Sequence, residues 1–274
     1  MEPVTVIIPT YNRETLLKKA IDSVREQSYS PFELVVVDDG SEDDTKRLVA
    51  GYADVRYIRQ ENQGPAAARN RGVDAASHDL IAFLDSDDWF DPSKLGVQAE
   101  AMAQKPDYLI SHTDETWYRR GKLLNQKKKH RKPGGHIFAH CLPLCAVSMS
   151  TVMVRRELFD AIGLFDEGFP CCEDYEFWLR ASVRFPFLKI DKPLTLKDGG
   201  RPDEVSFQYR TGMDRFRVRA IMKLLEKTDL TPEQEKMARK ELGRKCVIYG
   251  NGCVKHGRPG EGRRYLELAE THGA

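Results

Sequence analysis

Short, unbroken apolar runs alternate with single stretches of helical periodicity over the first hundred residues, and this alternation restricts the chain to very few folds. Residues 4–9 (VTVIIP), 32–38 (FELVVVD) and 80–84 (LIAFL) have no polar face, as expected of strands buried on both sides. Weaker strands are predicted at 55–59 and 108–112. Between them, Leu16, Leu17, Ala20, Ile21 and Val24 recur at helical spacing over residues 13–27, with Thr10 or Asn12 as cap. Further helices are predicted at 43–53, at 65–76 after Gly64, and from Pro92 to about residue 104. Strand and helix in strict alternation imply an α/β fold with a mostly parallel central sheet flanked by helices.

The pattern changes after residue 112. A hairpin and a long loop are predicted over 113–150, a strand over 148–154 and a short helix over 155–163. A helix over 174–185 and short strands at 187–190 and 194–196 follow. Beyond residue 207 only helix is expected. Two late segments, 232–256 and 261–271, flank Gly257-Arg258-Pro259-Gly260 and read as a helical hairpin. It resembles one tetratricopeptide-type unit, which cannot bury its own apolar face alone. The predicted division is a first part at 1–112, a second at 113–206, and a C-terminal helical extension at 207–274.

Charge excludes some functions. Lys and Arg number 43 against 42 Asp and Glu, so no bulk field favours nucleic acid or an anionic membrane. No apolar stretch approaches the length of a bilayer span. Met1-Glu2-Pro3 lacks the pattern of a secretory signal. A cytoplasmic protein with its six cysteines reduced is the expectation. His136, His140, Cys141 and Cys145 lack the second half of a zinc motif, so structural or incidental roles are expected of them.

The polar residues gather where ligands bind in open α/β sheets, at the carboxyl ends of strands. The first strand ends in Pro9-Thr10-Tyr11-Asn12-Arg13, the second in Asp38-Asp39-Gly40-Ser41, the fourth in Asp85-Ser86-Asp87-Asp88. Each alone reads equally well as turn and cap chemistry. Together they offer an aromatic face, a cation and several carboxylates on one sheet edge. Three neighbouring carboxylates repel unless a cation lies among them, and hard oxygen ligands suit Mg2+ or Mn2+ shared with substrate phosphates. No glycine-rich Lys-Ser/Thr loop and no GxGxxG is present, which excludes a P-loop and disfavours a dinucleotide site.

The segments VIIPTYNR, VVVDDGSEDDT, NQGPAAARNRG and FLDSDD resemble, in order and spacing, those of family 2 glycosyltransferases with the GT-A fold. The resemblance covers roughly residues 1–200 and implies that 1–112 is the nucleotide-sugar (donor) binding half and 113–206 the acceptor-binding and catalytic-base half. It implies a GT-A-type nucleotide-diphospho-sugar transferase fold and an inverting, metal-dependent transfer from a nucleoside diphosphate sugar, most simply UDP-linked. By the same resemblance, Pro9, Thr10, Tyr11 and Arg13 match the cradle of the nucleotide, with Tyr11 stacking on the base. Asp39 matches the acceptor for the base, and Arg69 a basic donor-site residue. Asp85, beside Ser86, matches the acid near ribose and metal. Asp87 matches the direct metal ligand, and Asp88 is expected to support, as cap of the next turn. Cys171-Cys172-Glu173-Asp174 is similar to the family's acidic helix start, where Asp174 matches the general base and Glu173 competes for that role. Acids at a helix start are also favoured by the helix dipole alone. The cysteines depart from the small residue often found there.

The acceptor is left open: a glycan or a lipid-linked glycan in cell-surface polysaccharide synthesis. The run Lys127-Lys128-Lys129-His130-Arg131-Lys132 reads either as a solvated loop or as a peripheral contact with an anionic acceptor or the inner membrane face. Rival readings are a nucleotidyltransferase, disfavoured by PTYNR in place of a glycine-rich loop, and a non-catalytic nucleotide-sugar binding or scaffold protein.

Overall fold

The computed structural model describes residues 2–119, 121–126 and 131–272. Most of the basic run, residues 127–130, lies outside the described residues.

The N-terminal half follows the alternation: β1 (Val4–Thr10), α1 (Glu14–Arg25), β2 (Phe32–Asp38), α2 (Thr45–Val49), β3 (Val55–Arg59), α3 (Pro65–Ala75) and β4 (Leu80–Phe83). Then come β5 (Asp88–Phe90), α4 (Lys94–Gln104), β6 (Ile110–Arg119), β7 (Lys122–Leu124), α5 (Phe138–Cys141), β8 (Val152–Arg155) and α6 (Glu157–Ile162). The C-terminal part comprises α7 (Glu173–Arg184), β9 (Phe187–Gly199), α8 (Val205–Gln208), α9 (Asp214–Lys227), α10 (Pro232–Lys255) and α11 (Pro259–His272).

Among the described residues the strands form one sheet in the order β3-β2-β1-β4-β8-β6-β9-β5, with β7 on β6. Strands β3, β2, β1 and β4 are parallel. Strand β8 runs antiparallel to both β4 and β6, whereas β9 is parallel to β6. Side chains alternate across the sheet. Val4, Val6 and Ile8 pack under α1 and α4, while Ile7, Val35, Val37, Ile81 and Phe83 face α3, α6 and α7. That division explains the unbroken apolar runs. Helix α3 lies close on β1 because Gly72 has no Cβ to strike Ile7.

Several local expectations are corrected. Neither Thr10 nor Asn12 caps α1; Asp43 Oδ2, from the neighbouring loop, accepts from Glu14 N at 3.1 Å. Asn12 instead stitches two strand ends: its Oδ1 accepts from Glu42 N (2.8 Å) and its N donates to Ser41 Oγ (2.9 Å). The short strands predicted at 187–190 and 194–196 are one strand, β9, kept in register with β6 by irregularities around Asp114. Strand β5 was not expected. Its three residues follow a charged turn and pair only with β9, too short a run for periodicity to reveal.

The C-terminal hairpin is α10 and α11. Gly250 and Gly262 let the helices approach, since a Cβ on Gly250 would meet Gly262 O at 2.9 Å. Thr231 and Gln234 form a reciprocal capping box at the start of α10. Helix α10 packs on α9, and α9 on α7. Buried Lys245 donates to Pro143 O at 2.9 Å, which pins α10 to the loop after α5.

One buried amine has no carboxylate beside it. Lys94 is fully buried, donates to Gln98 Oε1 and stands 4.3 Å from the Phe90 ring centroid. Burial lowers its pKa to about 7. The unfolded chain therefore binds the extra proton between about pH 7 and 10, and stability should rise with pH across that window, by at most about 1.4 kcal/mol per pH unit from this group. Lys94→Met should abolish that slope in denaturant melts. A slope unchanged by the substitution would mean that Lys94 is charged in the folded protein.

Candidate functional site

The carboxyl ends of β1, β2 and β4 meet the start of α7, and a buried arginine joins them. Arg69, on α3, is 5% exposed. Its Nη2 donates to Asp85 Oδ1 at 2.8 Å and its Nη1 to Glu173 Oε1 at 2.5 Å. It thus ties the acidic turn after β4 to the first residue of α7. Burial alone would raise the Asp85 carboxyl, but Arg69 and then Lys197 hold it below the usual carboxylate value. For Glu173, burial prevails over Arg69 and the pKa is raised.

This bridge separates the two acids at the helix start. Glu173 is buried and committed to Arg69. Asp174 is half-buried; its Oδ1 accepts from Tyr175 N (2.7 Å) and its Oδ2 from the Cys145 thiol (3.2 Å). Cys172 precedes them at φ +64°, a left-handed conformation that glycine adopts with less strain.

The acidic turn is held from both sides. Ser150, fully buried, accepts from Asp85 N (3.0 Å) and donates to Asp88 Oδ2 (2.5 Å). Asp88 does not cap a turn; it begins β5 and pairs with Lys197 Nζ at 3.1 Å. Burial, with Asp87 and Asp85 nearby, pushes Asp88 up to about 8 against the pull of Lys197. Asp87 Oδ2 receives Arg13 Nη1 (2.7 Å) and Arg201 Nη2 (2.5 Å). Arg13 also reaches Asp203, so the segment after β9 is fastened across the strand ends. Protein cations thus answer the carboxylate repulsion, which by itself calls for no metal.

The residues that the resemblance assigns to the donor lie at the ends of β1, β2 and β4. Thr10 is buried at the end of β1, after Pro9, and its Oγ1 has no hydrogen-bond partner among the described residues. Tyr11 is 45% exposed, with its ring free to receive a planar group. Asp39 is buried and oriented by the loop before α3. Its Oδ1 accepts from Gln60 Nε2 (2.8 Å) and Gln63 N (2.9 Å), its Oδ2 from Gly64 N (2.8 Å). Gly64 reaches it at φ +92°. A carboxylate has about four acceptor sites, so one remains for a further donor. Ser86 is buried inside the turn.

Arg201, Lys197, Ser150 and Cys145 escaped the sequence reading as site residues. Lys197 had a signal, since it alternates with Leu194 and Leu196 in a strand pattern and so had to face across the sheet. Arg201 had only the Gly199-Gly200 pair before it, which marks a turn and not its destination.

Residues 5–163 match glycosyl transferase family 2, and the chain belongs to that family. An uncharacterized glycosyltransferase of Rickettsia felis is 36% identical over 201 residues, covering 70% of this chain and 32% of the relative. The chain therefore spans about a third of the length of that relative. The Escherichia coli enzyme WfgD, a UDP-Glc:alpha-D-GlcNAc-diphosphoundecaprenol beta-1,3-glucosyltransferase, is 32% identical over 182 residues, covering 64% of this chain and 68% of WfgD. The fold is GT-A. The Staphylococcus aureus TarS 1-349 structure in complex with UDP-GlcNAc superposes with a TM-score of 0.68 at 18% identity, covering 99% of this chain and 91% of that one. PcManGT, a mannosyltransferase of Pyrobaculum calidifontis in complex with GDP-Man and Mn2+, gives 0.67 at 17% identity, with 99% and 76% covered.

The bridge predicts a stability effect separable from chemistry. Arg69→Met leaves Glu173 buried without its partner and should cost about 3–5 kcal/mol in urea unfolding, the usual range for breaking a buried pair. A loss below about 1 kcal/mol would show that Glu173 is neutral or solvated in the folded state.

Proposed function

We propose that this chain is an inverting glycosyltransferase that moves a sugar from a nucleoside diphosphate donor, UDP-linked, to the hydroxyl of a glycan or lipid-linked acceptor in cell-surface polysaccharide synthesis. The observation that carries the reading is the Arg69 bridge, which sets the helix bearing Asp174 against the turn bearing Asp85 and Asp87. A donor-side carboxylate turn and a candidate base on one rigid link are what a single displacement needs.

In this reading Tyr11 stacks on the base and the remaining acceptor site of Asp39 reads its edge. Arg13 and Arg201, both on Asp87, offer positive charge to the diphosphate. Asp174 removes the proton of the acceptor hydroxyl as that oxygen attacks the anomeric carbon. The bond from that carbon to the diphosphate breaks on the opposite face, so the configuration inverts. Donor choice rests on the relatives: WfgD is named for UDP-Glc and TarS is complexed with UDP-GlcNAc, whereas PcManGT is complexed with GDP-Man.

The residues fit a divalent cation. Asp87 Oδ1 and Asp85 Oδ2 have no protein hydrogen bond among the described residues, while their other oxygens are held by arginines. Two hard oxygens with substrate phosphates suit Mn2+ or Mg2+. When bound, the ion supplies Lewis-acid neutralisation of the leaving diphosphate. Among the described residues no group of three or more metal-binding side chains is present, so the substrate phosphates would have to supply the remaining oxygens.

Calorimetry tests the donor site. UDP should bind with Mn2+ or Mg2+ and lose about tenfold or more in affinity after chelation or in Asp87→Ala, or ~1.4 kcal/mol. Affinity indifferent to both sinks the metal role, and GDP bound more tightly than UDP overturns the donor assignment. Asp174→Asn should keep donor affinity and lower transfer by roughly 100-fold or more. Unimpaired transfer removes Asp174 as the base. Cys145→Ala removes one hydrogen bond to Asp174 and should lower kcat roughly fivefold, about 1 kcal/mol, with donor affinity unchanged and activity regained in Cys145→Ser.

A further inference from the structure

We infer that the β6–β7 hairpin docks the protein on an anionic phospholipid bilayer. Strand β7 pairs with β6 at the edge of the sheet, and it carries the most exposed large apolar side chain among the described residues, Leu123 at 66%, with the adjacent Leu124 also exposed. A bare apolar edge strand is a liability that soluble proteins usually blunt with charge or cover. Leu123 stands opposite Tyr118 on one face of the ribbon. On that face Tyr118 stacks on Trp89, with centroids 5.9 Å apart and planes at 25°. Lys19 Nζ stands over the Trp89 ring, 2.8 Å from its centroid. Tyrosine and tryptophan beside exposed leucine, with cations around them, is the composition of surfaces that lie in a headgroup region.

Local charge supports the same occupant, although the net charge of the chain does not. From Thr116 to Val154 the sequence holds no Asp or Glu, and Arg119, Lys122 and Arg131, the exposed cations of that span among the described residues, outnumber Asp198, which stands opposite Tyr118 on β9. Lys132 is withdrawn from this surface. It is buried against Glu115, at 3.3 Å, and donates to Ser148 Oγ at 3.1 Å, so the reading of residues 127–132 as a uniformly solvated loop is corrected at that position. Lys122 and Arg131 are exposed on either side of the leucines. A soluble polyanion would account for the cations but not for two exposed leucines at the tip. The bilayer accounts for both.

The placement deepens the proposed transfer, and rests on it for this step only. Trp117, on the hairpin, faces Lys197 across the β6–β9 pair, and Lys197 faces Asp88 across β9–β5. Two strand spacings, roughly 10 Å, separate β6 of the hairpin from β5, which begins at Asp88, and the leucines of β7 lie one spacing further, roughly 15 Å away. A bilayer held there brings a lipid-linked acceptor within reach of the site.

Co-sedimentation of the full chain with vesicles, without donor, tests the surface. The protein should pellet with phosphatidylglycerol–phosphatidylcholine vesicles and stay in solution with phosphatidylcholine alone. Leu123→Glu/Leu124→Glu should abolish pelleting with an unchanged thermal melt and unchanged UDP affinity. Lys122→Gln/Arg131→Gln should weaken it roughly 30-fold, at about fivefold per cation near an anionic surface. Equal binding to both vesicle types, or pelleting unaffected by the leucine substitutions, overturns the inference. So does competition by soluble polyphosphate with full binding retained in the leucine variant. Because no donor is present, a chain with no transferase activity still pellets if the surface is right, and failure to pellet leaves the donor site untouched.

Discussion

A single guanidinium holds the site together. Arg69 is the only connection that runs directly between the turn after β4 and the helix that carries the candidate base, among the hydrogen bonds of the described residues. An ion pair this buried is a poor source of net stability, because desolvating three charged groups offsets most of their attraction. Its value is geometric. The planar fork points two donors in fixed directions, one to each carboxylate, and a lysine has no such fork. Asp85 and Glu173 lie far apart in sequence, and Arg69 sets their separation to the width of one side chain.

The same logic extends outward. Each acid of the turn has its own cation: Asp85 has Arg69, Asp87 has Arg13 and Arg201, and Asp88 has Lys197. Burial acts on both Asp85 and Asp88: at Asp85 it is outweighed by Arg69 and then Lys197, whereas at Asp88, with Asp87 and Asp85 nearby, it prevails over Lys197. The turn is thus graded from a buried anchor to a partly open carboxylate on the donor side. Ser150 maintains the grading by bonding both Asp85 N and Asp88.

Much of this was legible in the sequence because strand ends are local. PTYNR, DDGS and DSDD each follow an apolar run, so their position on the sheet edge followed from periodicity and topology alone. Whether Glu173 or Asp174 is free could not be read, since the answer depends on a partner 104 residues away. Arg201 and Lys197 were hidden for the same reason: their carboxylates lie across the sheet, and no spacing rule connects them. Spacing alone did not show that the carboxylate repulsion in the turn is met by arginines and a lysine of the chain itself, because those cations come from β9, the segment after it and the end of β1. The resemblance located the residues; only the fold distributed them between anchoring and exposed roles.

The C-terminal helices belong to this account more than their sequence suggests. The α10–α11 hairpin cannot bury its own face, and it covers that face on α9, which in turn packs on α7. Lys223 of α9 reaches Glu176 of α7 at 3.1 Å and Asp166 at 2.6 Å. Asp174 therefore sits at the start of a helix braced along its length by α9 and fixed at its origin by Arg69. A base must stay within hydrogen-bond reach of a proton that arrives on another molecule, and a helix held at both its start and its flank loses little of that geometry to motion. The extension packs behind the helix that carries Asp174, while the direction of that carboxylate is set locally, by Tyr175 N and the Cys145 thiol, on a helix start where the dipole alone favours an acid.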